Sequence, residues 1–165
     1  MRKQSFAAFA TLASIACALN AGSQTPAPRD PRIGTWTLDI GKSAFPPGSA
    51  PRMQLRKIES RADGFTVYTQ AGINAEGDPT FIQTTYRLDG EKYPEYTQNT
   101  LAAFAANGSK PNMNTYRLVA PRIVEIARFD TDGKLAATTR QEMSDDGRTV
   151  TVTSTARGPL VWVRQ

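Results

Sequence analysis

The sequence predicts an all-β fold: an antiparallel up-and-down barrel of about 8–10 strands with one short helix. Three observations carry this expectation. The segment Gly34-Thr35-Trp36-Thr37-Leu38-Asp39-Ile40 alternates, with Trp36 and Leu38 on one face and Thr35, Thr37 and Asp39 on the other, as a half-buried strand requires. Asp-Gly pairs at Asp63-Gly64, Asp89-Gly90, Asp132-Gly133 and Asp146-Gly147 separate stretches rich in Thr, Val, Ile and aromatics, and this dipeptide suits the positive φ of tight hairpin turns. A run of short antiparallel strands leaves exposed edges, and closure into a barrel removes them better than a sandwich does.

Taken in order, Met1-Arg2-Lys3-Gln4 is basic and leads into the apolar run Ser5 to Ala16, too short to cross a bilayer comfortably. Residues 1–23 therefore read as an export signal, with small residues before Gln24 as the processing point. An alternative uses Cys17, because Leu12-Ala13-Ser14-Ile15-Ala16-Cys17 loosely matches a bacterial lipobox and would anchor the protein through a lipid. Residues 24–32 are proline-rich without bulky apolar groups and read as a flexible tether. Residues 33–165 form one domain.

Within it, strands are expected near 33–40, 52–61, 65–74, 80–88, 91–96, 113–120, 122–130, 134–143, 148–156 and 160–164. The stretch Gly41 to Pro51 is a proline-rich turn, with Phe45 folding beneath it as an anchor. The helix is expected over Thr100 to Gly108, with Asn99 or Thr100 as N-cap and Gly108 as its stop. It is read as a cap on the barrel rather than a mobile gate.

Composition narrows the chemistry. The chain has no histidine and a single cysteine, in the signal segment. That removes histidine-based general base catalysis, thiolate nucleophiles and thiolate metal sites from the folded domain. The formal charge of +5 includes Arg2 and Lys3, and the remaining bases are scattered among acids and threonines, unlike the basic stripe of a nucleic-acid binder. Asp130-Thr131-Asp132-Gly133 and Asp145-Asp146-Gly147 are hairpin turns on this reading. In a calcium loop starting at Asp130, Gln141 would stand where the twelfth-position acid belongs. No cofactor and no metal are expected.

The phrase Gly34-Thr35-Trp36-Thr37-Leu38-Asp39 through Lys42-Ser43, Phe45, Pro47-Gly48 and Pro51 resembles the opening of the calycins, the group of lipocalins and intracellular fatty-acid-binding proteins. Together with Tyr86, Asp89-Gly90, Tyr93-Pro94 and Ser144 to Ser154, it is similar to small exported lipocalin-like proteins of bacteria. The resemblance implies a ligand-binding barrel in which Gly34 and Trp36 are the structural signature. It implies that Trp36 plugs the closed end beneath an arginine, for which Arg128, Arg140 and Arg164 are candidates. In fatty-acid-binding proteins an arginine of the eighth strand and an Arg-x-Tyr pair of the last meet the ligand carboxylate. Arg140 matches the first, whereas Leu160-Val161-Trp162 occupies the place of the pair.

Alternation on the seventh strand places Arg128 in phase with the apolar Val124 and Ile126, where a cation needs a partner or an anionic ligand. Tyrosines and Trp162 supply amphipathic walls. The expected ligand-binding residues are Arg140, Arg128, Tyr86, Tyr68 and Trp162. The expected function is an exported, periplasmic or secreted, non-catalytic carrier of a small apolar or amphipathic molecule. The alternative is a protein-binding module that presents the 97–112 segment or the Phe45–Pro51 loop.

Overall fold

The computed structural model describes residues 29–99, 102, 105, 108 and 110–165. Ten antiparallel strands close into one barrel: β1 (Gly34–Asp39), β2 (Met53–Ser60), β3 (Thr66–Ile73), β4 (Pro79–Tyr86), β5 (Asp89–Thr97), β6 (Asn112–Ala120), β7 (Ile123–Phe129), β8 (Leu135–Met143), β9 (Thr149–Ser154) and β10 (Arg157–Arg164). Each strand pairs with its neighbours in sequence, and β1 pairs with β10 to complete the circle, placing Trp36 opposite Arg164 and Leu38 opposite Trp162. The expected strands are all present, their ends displaced by a few residues at most.

A 3-10 turn, Ile40–Lys42, follows β1 and is capped by Asp39, whose carboxylate accepts from the Lys42 N–H at 3.1 Å. The helix expected over 100–108 lies outside the described residues apart from Ala102, Ala105 and Gly108, as do the signal segment and residues 24–28 of the tether. Among the described residues no helix is long and apolar enough to cross a membrane.

The two barrel ends are chemically different. Trp36, Leu38, Val150, Val152, Leu160 and Trp162 form the apolar core on one side of the interior, with Phe45 and Met143 packed against it. Each such side chain contributes roughly 1.5–3 kcal/mol by leaving water, so this cluster anchors the first strand to the last two. Phe45 thereby serves as the loop anchor that its setting among prolines suggested.

The tether expectation needs correction at its C-terminal end. Asp30 and Arg32 are only 3% and 1% exposed, so the chain enters the closed end of the barrel before β1 begins. The physical reason is mutual neutralisation. Arg32 Nη2 meets Asp30 Oδ2 at 2.6 Å and its Nε meets Oδ1 at 2.9 Å, so both charges are satisfied in the interior.

A smaller correction concerns Asp89-Gly90, which opens β5 instead of forming the preceding turn. Register slips between Asp89 and Lys92, and Gly90 takes φ 84°, as a β-bulge requires.

Trp36 is the closed-end plug. It is 1% exposed, its indole N–H donates to the Arg32 carbonyl at 2.8 Å, and the guanidinium of Arg164 lies over its ring at 4.3 Å from the centroid. Of the three candidate arginines, the last strand supplies the partner. Gly34 makes room for it: φ is 142°, and a Cβ there would collide with the Arg164 guanidinium.

Candidate functional site

The opposite end of the barrel encloses a cavity of about 280 Å³. It lies where β5, β7 and β8 present Thr97, Arg128 and Ala137 and where Ser154, Ala156 and Arg157 connect β9 to β10. Its inner wall is Arg56, Tyr68, Gln70, Asn114, Tyr116 and Gln141, with Ile82 and Ile126 as apolar patches. This mixture follows from strand periodicity, since on each strand every second residue faces inward.

Arg56 dominates the site. It is 4% exposed and sits on β2 in phase with the buried Ile58. Its guanidinium stacks over Trp162 at 3.8 Å and approaches Tyr68 at 5.2 Å from the ring centroids. Two of its hydrogen bonds are long and go to neutral amides, Nη1 donating to Gln141 Oε1 at 3.3 Å and Nη2 to Gln70 Oε1 at 3.4 Å, and the Tyr68 phenol is a further polar neighbour. Nε has no partner among the described residues. Burial lowers the Arg56 pKa, and the nearby charges of Arg32 and Arg157 lower it further against an opposing contribution from Tyr68. Arginine stays protonated regardless, so the cost remains as electrostatic strain.

Tyr68 donates to Gln70 Oε1 at 2.6 Å, so Gln70 accepts from both a phenol and a guanidinium. Glu95 is the cavity's carboxylate. It accepts from Asn114 Nδ2 at 2.8 Å and pairs with Arg128 at 3.4 Å, with side-chain exposures of 12% and 48%. Arg128 therefore faces inward at the mouth, half in water and already matched by an acid.

The remaining expected residues are elsewhere. Arg140 lies on the outer face, paired with Glu125 at 3.4 Å and Glu142 at 3.7 Å. Its neighbour Gln141 takes the interior position because inward-facing residues on β8 are odd-numbered. Tyr86 is fully buried at the closed end, where its hydroxyl donates to Asp30 Oδ2 at 2.6 Å and accepts from Arg32 Nη2 at 2.8 Å. It stacks on Tyr116 with centroids 3.7 Å apart, filling the seam beside β5, which pairs with β4 over only three positions. Trp162 lies behind Arg56 as the support of its guanidinium. Only Tyr68 and Arg128 of the five expected ligand-binding residues line the cavity.

Arg56, Gln70, Glu95, Asn114 and Gln141 were missed. Arg56 carried one signal, its two-residue offset from Ile58. The apolar Met53 and Leu55 pointed to the opposite phase, yet they are 44% and 40% exposed.

Burial raises the Tyr86 and Tyr116 phenols well above their ordinary pKa and keeps both neutral; Tyr86 donates to Asp30, whereas Tyr116 accepts from Asn114 Nδ2 at 3.2 Å. Burial would also raise Asp30, but the charge and hydrogen bonds of Arg32 and the Tyr86 hydroxyl outweigh it and hold the carboxylate below 3.8. Among the described residues no group of three or more acids converges to hold a metal. The arrangement is suited to receiving a small molecule: an open end, a partly polar wall and a buried cation. No protein-family model matches the chain, and no curated protein shows significant sequence similarity to it.

Proposed function

We propose that this protein is a lipocalin-like carrier that takes a small amphipathic molecule into the open end of its barrel and does not transform it. The observation that carries the reading is the cavity of about 280 Å³ beside Arg56, walled by both polar and apolar side chains. Ligand pockets usually run from about 300 to 1,000 Å³, so the preferred guest is smaller than a typical drug. Closure of ten strands around the Gly34–Trp36 opening supports kinship with calycin barrels. The basic and apolar N-terminus supports export to the periplasm or the exterior.

Two features argue for carriage over chemistry. The buried Asp30–Arg32 ion pair and the Tyr86 hydroxyl bound to it satisfy one another at the closed end and do not line the cavity. Within the cavity, Tyr116 is held neutral and Glu95 is tied to Asn114 and Arg128. Neither is poised as a general base.

The test is a titration of purified protein with the neutral probe 1-octanol, read by tryptophan emission and calorimetry. At roughly 0.5 kcal/mol per non-hydrogen atom, a guest of this size binds with Kd on the order of 0.1–1 mM. Saturable one-site binding is the expected result. If octanol and octanoate alike fail to saturate the protein at millimolar concentration, the carrier reading is wrong.

A further inference from the structure

We propose that the guest carries a compact anionic head group, a carboxylate in its simplest form, and that Arg56 is the side chain that receives it. This rests on the carrier reading above and adds the chemical class of the ligand. Burying a guanidinium is expensive unless a carboxylate or a full set of hydrogen bonds repays it. The two arginines at the heart of this barrel differ in that respect. Arg32 holds both oxygens of Asp30, the Tyr86 hydroxyl and Gln141. Arg56, almost as buried, meets no acid among the described residues; its bonds to the Gln141 and Gln70 amide oxygens are long, and its other polar neighbour is the neutral phenol of Tyr68.

The geometry favours an oxyanion. Trp162 covers one face of the guanidinium, and its N–H donors radiate in the plane of the group. An oxyanion approaching edge-on can take more than one of them, which is the arrangement that carboxylates satisfy best. Glu95, the acid on the cavity wall, is held by Asn114 and Arg128, so it leaves Arg56 unmatched. Arg157 at the mouth adds positive charge along the entry route. The apolar part of the guest then rests against Ile82 and Ile126. The seat is on β2, away from the strand that carries Arg140.

The experiment compares octanoate with 1-octanol, which share a chain and differ in charge, on the purified protein at pH 7. Octanoate is expected to bind about 10- to 100-fold more tightly, the worth of a charge-assisted hydrogen bond in a buried site. Arg56→Met should abolish that preference while leaving octanol affinity within about twofold. A second variant, Gln141→Glu, places an internal carboxylate beside Arg56 and should also lower octanoate affinity selectively, so the test survives if Arg56→Met does not fold. Equal binding of octanoate and octanol by the wild-type protein overturns the anion seat and leaves the carrier reading intact. An octanoate preference that persists in either variant places the anion elsewhere and overturns the assignment. Failure of both probes removes the carrier reading and this inference with it.

Discussion

Arg32 and Arg56 donate to the same atom, Gln141 Oε1, at 2.8 and 3.3 Å, yet Arg32 has a carboxylate partner and Arg56 has none among the described residues. One side-chain oxygen thus joins the sealed, charge-balanced end of the barrel to the open, cationic one. Asp30→Ala leaves Arg32 as a buried, unpaired cation and should cost about 3–5 kcal/mol in urea denaturation. Asp30→Ala combined with Arg32→Met should recover a large part of that loss. A cost below about 1 kcal/mol for the single change would mean the Asp30–Arg32 plug does not hold the closed end.

The same plug sets both limbs of the pH-stability curve. The Asp30 carboxyl is held below its ordinary 3.8, so its contribution is complete above that value and is lost as pH falls through the lower folded-state value. Tyr86 is raised above 10.0, so its contribution is complete below pH 10 and is lost as pH rises through the folded-state value. Denaturation midpoints measured across pH should fall at both extremes. Asp30→Asn should flatten the acid limb and Tyr86→Phe the alkaline one. Unchanged slopes would assign those limbs to other groups.

At Gly34 the backbone conformation and the Arg164 guanidinium make one unit. Arg164 also donates to the Gly147 and Ile33 carbonyls at 2.7 and 2.9 Å, tying three chain segments to the indole of Trp36. Arg164→Ala should cost about 2–3 kcal/mol. Gly34→Ala should cost about 1–3 kcal/mol through its positive φ and the collision. The double variant should cost less than the sum, because removing the guanidinium relieves the collision. Strict additivity in equilibrium unfolding would contradict this coupling.

Arg140 provides the contrasting case. Paired with exposed acids on the outer face, it should contribute little, so Arg140→Gln should change stability by no more than about 0.5 kcal/mol. Octanoate binding should also be unaffected. A selective loss of octanoate affinity in that variant would show that the outer face communicates with the cavity.

The strands were legible because a period-two alternation and an Asp-Gly turn are both local: Trp36 and Leu38 show their shared face without reference to any partner strand. The phase of an ambiguous strand was not. Met53 and Leu55 outweighed Arg56 by hydrophobicity, but the inner face of β2 is chosen by what surrounds it, and Trp162 of the last strand offers a surface on which a guanidinium can stack. Arg140 failed for the complementary reason. Its position along β8 matched the resemblance, but a displacement of one residue turns a side chain from interior to solvent.

By itself, the sequence determined the class of fold, the ten strands, the face of β1 that Trp36 and Leu38 share and the loss of histidine and thiolate chemistry from the domain. Only the tertiary structure decided which charges lie inside. A buried ion is tolerated according to partners that are distant along the chain, such as Gln141 for Arg32 and Trp162 for Arg56, and those distances are set by closure of the barrel.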